Sequence, residues 1–311
     1  MSCKEKKDIR ILVVDDETEM REMIVDFLDE EGYAVVSAQN GKEALERHFA
    51  ADHIDLVLSD INMPQMKGFE LLRIVREKYP QTKRVLITAY NVEDYLELAL
   101  KHDIGNIFVK STPFNFVELS AILSNLLTND IFGVKKYFEH PIIKKSFLIK
   151  RGDALDTNAN DIISSISLVR NAKRVELVLI ELLANAVFYG MRKESAEDKE
   201  KWNYNFELSD AEAIEVTVVA DQEKFAISVL DRGGRLKKSD VLYWLNRQVS
   251  RDDSGVPLGV YDTHGRGFYI AREYIDRLIV NIDRNKKTEI IIINYFDNPV
   301  KGYKPLYINE I

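Results

Sequence analysis

Five polar residues close four of the short apolar runs in the first 110 positions: Asp15 and Asp16 after ILVV, Asp60 after LVLS, Thr88 after VLI and Lys110 after IFV. Carboxylates gathered within a few ångströms of one another repel. A hard divalent cation with oxygen ligands relieves that repulsion, and Mg²⁺ suits one or two carboxylates completed by water and a phosphoryl group. A lysine beside them supplies a charge-assisted contact to phosphoryl oxygens. The set predicts Mg²⁺ and a phosphate in transfer.

A second constellation is spread over three pieces. In VELVLIELLANAVFYG (175–190), Glu181 and Asn185 are four positions apart in an otherwise apolar run, so a helix stacks them on one face. Burying an unpartnered amide costs about 2–7 kcal/mol, and burying a charge costs more. Something polar must meet them. In VLDRGGRL (229–236), period two puts Asp231 in register with Phe225, Ile227 and Val229, so an acid ends a core-facing row and needs a donor such as the exocyclic amine of adenine. In THGRGFYIAREYID (263–276), glycines precede an amphipathic helix whose free N–H groups suit phosphate. Together the three describe a nucleotide site.

The elements that must position these residues fall into two blocks. From residue 10 to about 127, strand-like runs at 9–14, 33–38, 54–59, 84–89 and 106–110 alternate with helical windows. That alternation predicts a doubly wound α/β fold with five parallel strands and five helices, whose ligand crevice lies beyond the carboxyl ends of the strands. Residues 128–145 are less regular and are expected to be a linker. From 146 to 311 the order changes: a strand near 146–150, helices near 158–170 and 174–190, and a hairpin of 213–220 and 224–231. Helices near 238–248 and 266–277 and strands near 277–282 and 288–296 follow. This predicts an α/β two-layer sandwich. The charged stretch 191–202 and the tail NPVKGYKPLYINEI are expected to be solvated connectors.

The 311 residues carry a net charge of -8, which argues against a large nucleic-acid surface. The single cysteine, Cys3, leaves no disulfide framework. The N-terminus has no signal-like apolar core, and no run approaches 18 uncharged apolar residues. The expectation is a cytoplasmic protein that engages neither nucleic acid nor membrane.

The stretches ILVVDDE, LSDINMPQMKGFELL, LITAY and FVK, in that order and spacing, resemble the receiver domain of two-component response regulators over residues 8–127, a flavodoxin-like fold. The resemblance implies Asp60 as phosphoacceptor for a sensor histidine kinase. It implies Mg²⁺ held by Asp16, Asp60 and the main-chain carbonyl of Asn62, with Asp15 acting through water. Lys110 would pair with phosphoryl oxygens, and Thr88 would carry the switch. The family's usual Lys-Pro is Lys110-Ser111 here, and its common aromatic three places before the lysine is Ile107, with Phe108 on the opposite face.

Residues 146–296 resemble the GHKL (Bergerat-fold) ATPases, and within them the serine-kinase anti-sigma factors. The resemblance implies ATP with Asn185 on Mg²⁺, Glu181 orienting or deprotonating an attacking hydroxyl, and Asp231 reading adenine. Gly233, Gly234, Gly265 and Gly267 would line the nucleotide. The family's D-x-G-x-G is D-R-G-G-R here: Arg235 either crowds the nucleotide or, with Gly234 supplying the turn, contacts phosphate. Tyr189 stands where relatives often have histidine, and His264 borders the glycines. His140 is followed by Pro141, which opposes a phosphorylatable helix. The leading expectation is a response regulator with an anti-sigma-type serine kinase output, acting on an antagonist protein or a sigma factor. The alternative is a receiver-controlled binding module without turnover, and a homodimer stays open in either case.

Overall fold

The computed structural model describes residues 5–166, 169, 171–194, 202–262, 265–296 and 302–311. The chain divides into two compact units, Met1–Ile131 and Phe132–Ile311.

In the first unit, β1 (Arg10–Val14), β2 (Ala34–Ala38), β3 (Leu56–Asp60), β4 (Lys83–Thr88) and β5 (Asn106–Val109) pair in parallel in the order 2-1-3-4-5. Ile11, Leu12, Val13 and Val14 are all buried, so β1 is covered on both faces, as an all-parallel sheet requires. The crossovers are α1 (Thr18–Glu30), α2 (Gly41–Glu43, continuing as a π-helical turn Ala44–Phe49), α3 (Gly68–Lys78), α4 (Leu96–His102) and α5 (Phe116–Thr128). Apolar residues at helical spacing face the sheet: Ile24 and Leu28 from α1, Leu71, Leu72 and Val75 from α3. Between β1 and β3 the strand order reverses, and the crevice there receives the ends of both strands.

In the second unit, β6 (Ile143–Ile149), β7 (Ile214–Ala220), β8 (Lys224–Asp231), β10 (Lys287–Tyr295), β9 (Arg277–Asp283) and β11 (Leu306–Glu310) follow one another across a mixed sheet. Neighbours are antiparallel except β9 and β11. The helices are α6 (Leu155–Ser164), α7 (Ala172–Ala184, continuing as a π-helical turn Asn185–Met191), α8 (Lys238–Val249) and α9 (Gly267–Tyr274). α7 buries Val175, Val178, Leu179, Leu182 and Leu183. The i, i+3, i+4 spacing that predicted the helix is the face it packs.

Four expectations are corrected. The stretch 128–145, expected as the linker, belongs mostly to the second unit: Val134, Tyr137 and Phe138 are buried, and β6 begins at Ile143 and pairs with β7. In the tail, Leu306, Tyr307, Ile308 and Asn309 are buried in β11, parallel to β9; the three consecutive apolar residues LYI are too short a run to stand out after the proline and lysine before them. Trp202 is buried with its ring stacked on Phe188 at 4.1 Å and 8°, so the charged stretch before it ends in core. Residues 195–201 and His264 lie outside the described residues. The helix expected at 158–170 runs earlier, over Leu155–Ser164.

Candidate functional site

At the C-terminal end of the first sheet, Asp15 follows β1, Asp60 and Thr88 end β3 and β4, and Lys110 follows β5. All four side chains are buried. The Lys110 ammonium lies 2.7 Å from Asp60 Oδ1, 2.9 Å from Asp15 Oδ2 and 3.7 Å from Glu17 Oε1. Asp60 Oδ2 accepts a hydrogen bond from the Asn62 N–H at 2.6 Å, and Asp15 Oδ1 accepts one from the Glu17 N–H at 3.0 Å. Thr88 Oγ1 accepts from the Tyr90 N–H at 3.0 Å, and the Thr88 carbonyl accepts from the Lys110 N–H at 2.8 Å, tying the last two strand ends together. Burial pushes both carboxyls above their usual range, against the opposing pull of Lys110. Burial also pushes Lys110 down, but its contacts to Asp15 and Asp60 outweigh it and the ammonium is held above its ordinary value.

The three carboxylates of the sequence set do not crowd one point. Asp15 and Asp60 are bridged by the ammonium, while Asp16 and Asn62 are exposed at the rim. Among the described residues no group of three or more His, Cys, Asp or Glu is disposed around a metal-sized position. The donor chemistry nevertheless fits Mg²⁺. Asp15 Oδ2 is buried and, among the described residues, meets only the Lys110 ammonium, and the neighbouring donors are all hard oxygens. Asn62 makes a contact that the sequence did not suggest: its side-chain N–H donates to the Tyr95 hydroxyl at 2.7 Å.

In the second unit, the three sequence pieces line one cavity of about 430 Å³. Glu181, Asn185, Tyr189 and Gly190 come from α7 and its π turn, Asp231 from the end of β8, Arg235 and Leu236 from the loop after it, and Gly265, Arg266 and Gly267 from the start of α9. Close approach explains the small residues. A Cβ on Gly190 would stand 2.7 Å from Asp231 Cγ, and one on Gly267 would stand 3.3 Å from Asn185 Nδ2. Gly234 takes φ +57° and its Cβ position is 2.3 Å from the Lys286 nitrogen, so the turn falls there and Arg235 is delivered to the cavity wall, exposed. Gly233 sits against the Gly190 carbonyl. Gly265, at φ +81°, presses on the Trp244 ring, which gives that glycine a packing reason beside the nucleotide role assigned to it.

Asp231 is almost wholly buried and, among the described residues, meets no cation: its Oδ1 accepts from the Gly233 N–H at 2.8 Å and the Gly234 N–H at 3.4 Å. Burial pushes its carboxyl up to about 6 in spite of those two donors. Burial, then the charge of Glu181 and the proximity of Tyr204, push the Tyr189 hydroxyl up to about 12, so it stays neutral where a histidine would titrate.

The family model for the response regulator receiver domain matches residues 11–124. Residues 11–124 are a response regulator receiver domain. Regulatory protein AtoC of Escherichia coli is 38% identical over 133 residues, which are 42% of this chain and 27% of that protein. Response regulator SaeR of Staphylococcus aureus is 27% identical over 218 residues, 69% of this chain and 88% of that one. Response regulator TrrA of Thermotoga maritima, crystallised with Mg²⁺ and BeF, is 41% identical over 38% of this chain and 98% of that chain, with a TM-score of 0.34. The chain spans about a quarter of AtoC and, in the sensor kinase/phosphatase CqsS of Vibrio cholerae, 12% of the whole. In the described residues no helix is long and apolar enough to cross a membrane.

Around the receiver pocket the sequence signal was strong because each residue ends a strand. In the cavity, Trp244, Arg266, Asp240, Glu194 and Thr288 were missed as lining residues. Thr288 pairs with Asp231 across β10 and β8, a neighbourhood legible only once the strand register is known. Trp244 and Asp240 lie on a helix with no motif of its own, and nothing in the sequence marks them.

Proposed function

We propose that the chain is a phosphorylation-controlled response regulator whose C-terminal unit is an ATP-binding module of GHKL type, related to the anti-sigma serine kinases. Asp60 is the acceptor: a carboxylate oxygen attacks the phosphorus of a sensor kinase's phosphohistidine, the P–N bond breaks as the P–O bond forms, and the histidine nitrogen recovers a proton. Lys110, already in contact with Asp60, holds the phosphoryl oxygens, and Thr88 shares them. Asp16, Asp60 and the Asn62 carbonyl are the residues that would hold Mg²⁺, with Asp15 reaching it through water. When bound, the ion neutralises charge developing on the phosphoryl group.

The observation that carries the ATP reading is the single cavity shared by Asp231, Asn185 and Glu181 at the start of α9. Asp231 accepts from the adenine amine, Asn185 serves Mg²⁺, and Gly233, Gly234, Gly265 and Gly267 let backbone approach the nucleotide. Glu181 is the base or orienting group for a protein serine hydroxyl, on an antagonist protein or a sigma factor. Titration calorimetry of the full chain with Mg²⁺-ATP tests this: micromolar binding lost in Asp231→Asn and Asn185→Ala is expected, and no heat with wild type refutes it. Labelled ATP with a candidate substrate then tests Glu181→Gln.

A binding module without turnover is the second reading, favoured by Tyr189, which stays neutral in place of a titrating histidine. It predicts nucleotide-independent capture of the partner and no transfer of label. Arg235→Gly separates the two roles of the arginine: tighter ATP binding means crowding, and weaker binding means phosphate contact.

A further inference from the structure

The face of the second sheet that turns away from the cavity holds a buried carboxylate with no part in the chemistry above. Along β10, Thr288 and Ile290 line the cavity, so the alternate residue Glu289 points to the opposite face. Glu289 is 3% exposed. Its Oε1 accepts from the Ser228 hydroxyl at 2.7 Å, and its Oε2 from the Asn281 amide at 3.1 Å and from the Gly133 N–H at 2.8 Å. Asn281 is in turn held by Asn309, whose amide donates to its Oδ1 at 2.8 Å. Glu289 is followed by four isoleucines, Ile290 to Ile293, and an apolar side chain there would avoid the cost of burying a carboxylate. What the carboxylate adds is the grip on Gly133, which takes φ +101°.

Gly133 opens the segment that joins the units. Phe132 lies under the Lys287 ammonium at 3.8 Å, and Val134, Tyr137 and Phe138 are buried behind it. The other end of the connection is also held: Asn129, the left-handed cap of α5, accepts from the Lys83 ammonium at 2.7 Å. Lys83 begins β4, the strand that ends in Thr88. Between the two held residues run four peptide steps, which reach at most ~14 Å when fully extended. So short a tether limits how far α5 and Gly133 can move apart.

We propose that Glu289 is the positioning residue through which the receiver regulates the cavity: it fastens the connecting segment to the back of the two strands, β8 and β10, whose front residues Asp231 and Thr288 form the cavity floor. On one face Glu289 of β10 holds both Ser228 of β8 and the Gly133 N–H, and the paired Asp231 and Thr288 face the cavity on the other. A shift of β4 and α5 after phosphorylation at Asp60 pulls on Gly133 and moves that floor. This rests on the nucleotide reading for its ligand but not for its mechanics.

The test uses the full chain with Mg²⁺ and beryllium fluoride as phosphoryl mimic, read by ATP calorimetry and by hydrogen exchange over 132–138 and 287–291. In wild type the mimic is expected to change ATP affinity at least threefold and to alter exchange in both segments. Glu289→Leu should leave basal ATP affinity within twofold and abolish both responses, with Glu289→Gln restoring part of them. Lys83→Met, which releases the tether at its other end without touching the second unit, should uncouple in the same way and serves if the Glu289 variants fold poorly. If wild type binds no ATP, the nucleotide reading fails, and exchange alone decides: a mimic-dependent change in 287–291 that is lost in Lys83→Met supports the relay. No such change in wild type, or an unaltered response in Glu289→Leu and Lys83→Met, overturns it.

Discussion

Asp60 and Asp231 each end a core strand and each is buried, yet the two halves of the molecule handle the charge differently. Asp60 shares the Lys110 ammonium with Asp15, so the pocket carries its own counter-ion. Asp231 has only two backbone N–H groups and a cavity in front of it, and its carboxyl is pushed up to about 6. A carboxylate bridged to a fixed cation keeps its counter-ion at hand, although burial still holds Asp60 above its usual range. One left without a cation strains the free protein and waits for a donor, the arrangement expected where a ligand completes the site.

Breaking the first half of that comparison should have the largest effect. Asp60→Asn is expected to abolish labelling by phospho-donor altogether, since the nucleophile is gone. Lys110→Ala leaves two neighbouring buried carboxylates without a cation and should cost about 3–5 kcal/mol in urea unfolding. Asp15→Asn in the same chain should recover a sizeable part of that loss; strict additivity would show that the pair does not share the ammonium.

The second half is sharpened by pH. An acid whose folded carboxyl titrates near 6 instead of near 3.8 favours the folded state when protonated. Its contribution is present below about pH 4 and is lost as pH rises through about 6, a difference of up to about 3 kcal/mol. Asp231→Asn should therefore stabilise the ligand-free protein at pH 7 and not at pH 4, while weakening ATP binding at least tenfold. Equal stability of the two proteins at both pH values would remove the strain argument. Wild type should also gain more from saturating ATP than the variant does.

Gly190→Ala puts a methyl 2.7–2.8 Å from the Asp231 carboxyl and should destabilise by about 1–3 kcal/mol while reducing the cavity. The smallest effect belongs to the receiver rim. Tyr95→Phe removes the acceptor of the Asn62 amide at an exposed contact and should shift stability by under about 1 kcal/mol, yet change the lifetime of the phosphorylated state. An unchanged lifetime would mean that the Asn62 to Tyr95 link is incidental.

Much of this arrangement was legible because strand ends are conspicuous. ILVV before Asp15 and LVLS before Asp60 are too apolar to be anything but buried strands, and a parallel sheet sends all their carboxyl ends to one side. The cavity was legible through Glu181, Asn185 and Asp231, polar residues in runs that had no other use for them. β11 was not legible, because a five-residue strand after Pro305 is no more periodic than a connector. Nor was the grip of Glu289 on Gly133, since neighbours 156 positions apart meet only through sheet pairing.

Sequence alone determined the local matters: which runs become strands or helices, and which side chains are too polar for the faces they occupy, because alternation and helical spacing are properties of consecutive residues. Only the tertiary structure decided who meets whom: that Lys110 lies between Asp15 and Asp60, that Gly190 makes room for Asp231, and that the segment after α5 is bound to the back of the cavity floor. Pairing between distant strands sets those meetings, and a register shift of one residue in β8 or β10 would turn Asp231 or Glu289 to the opposite face.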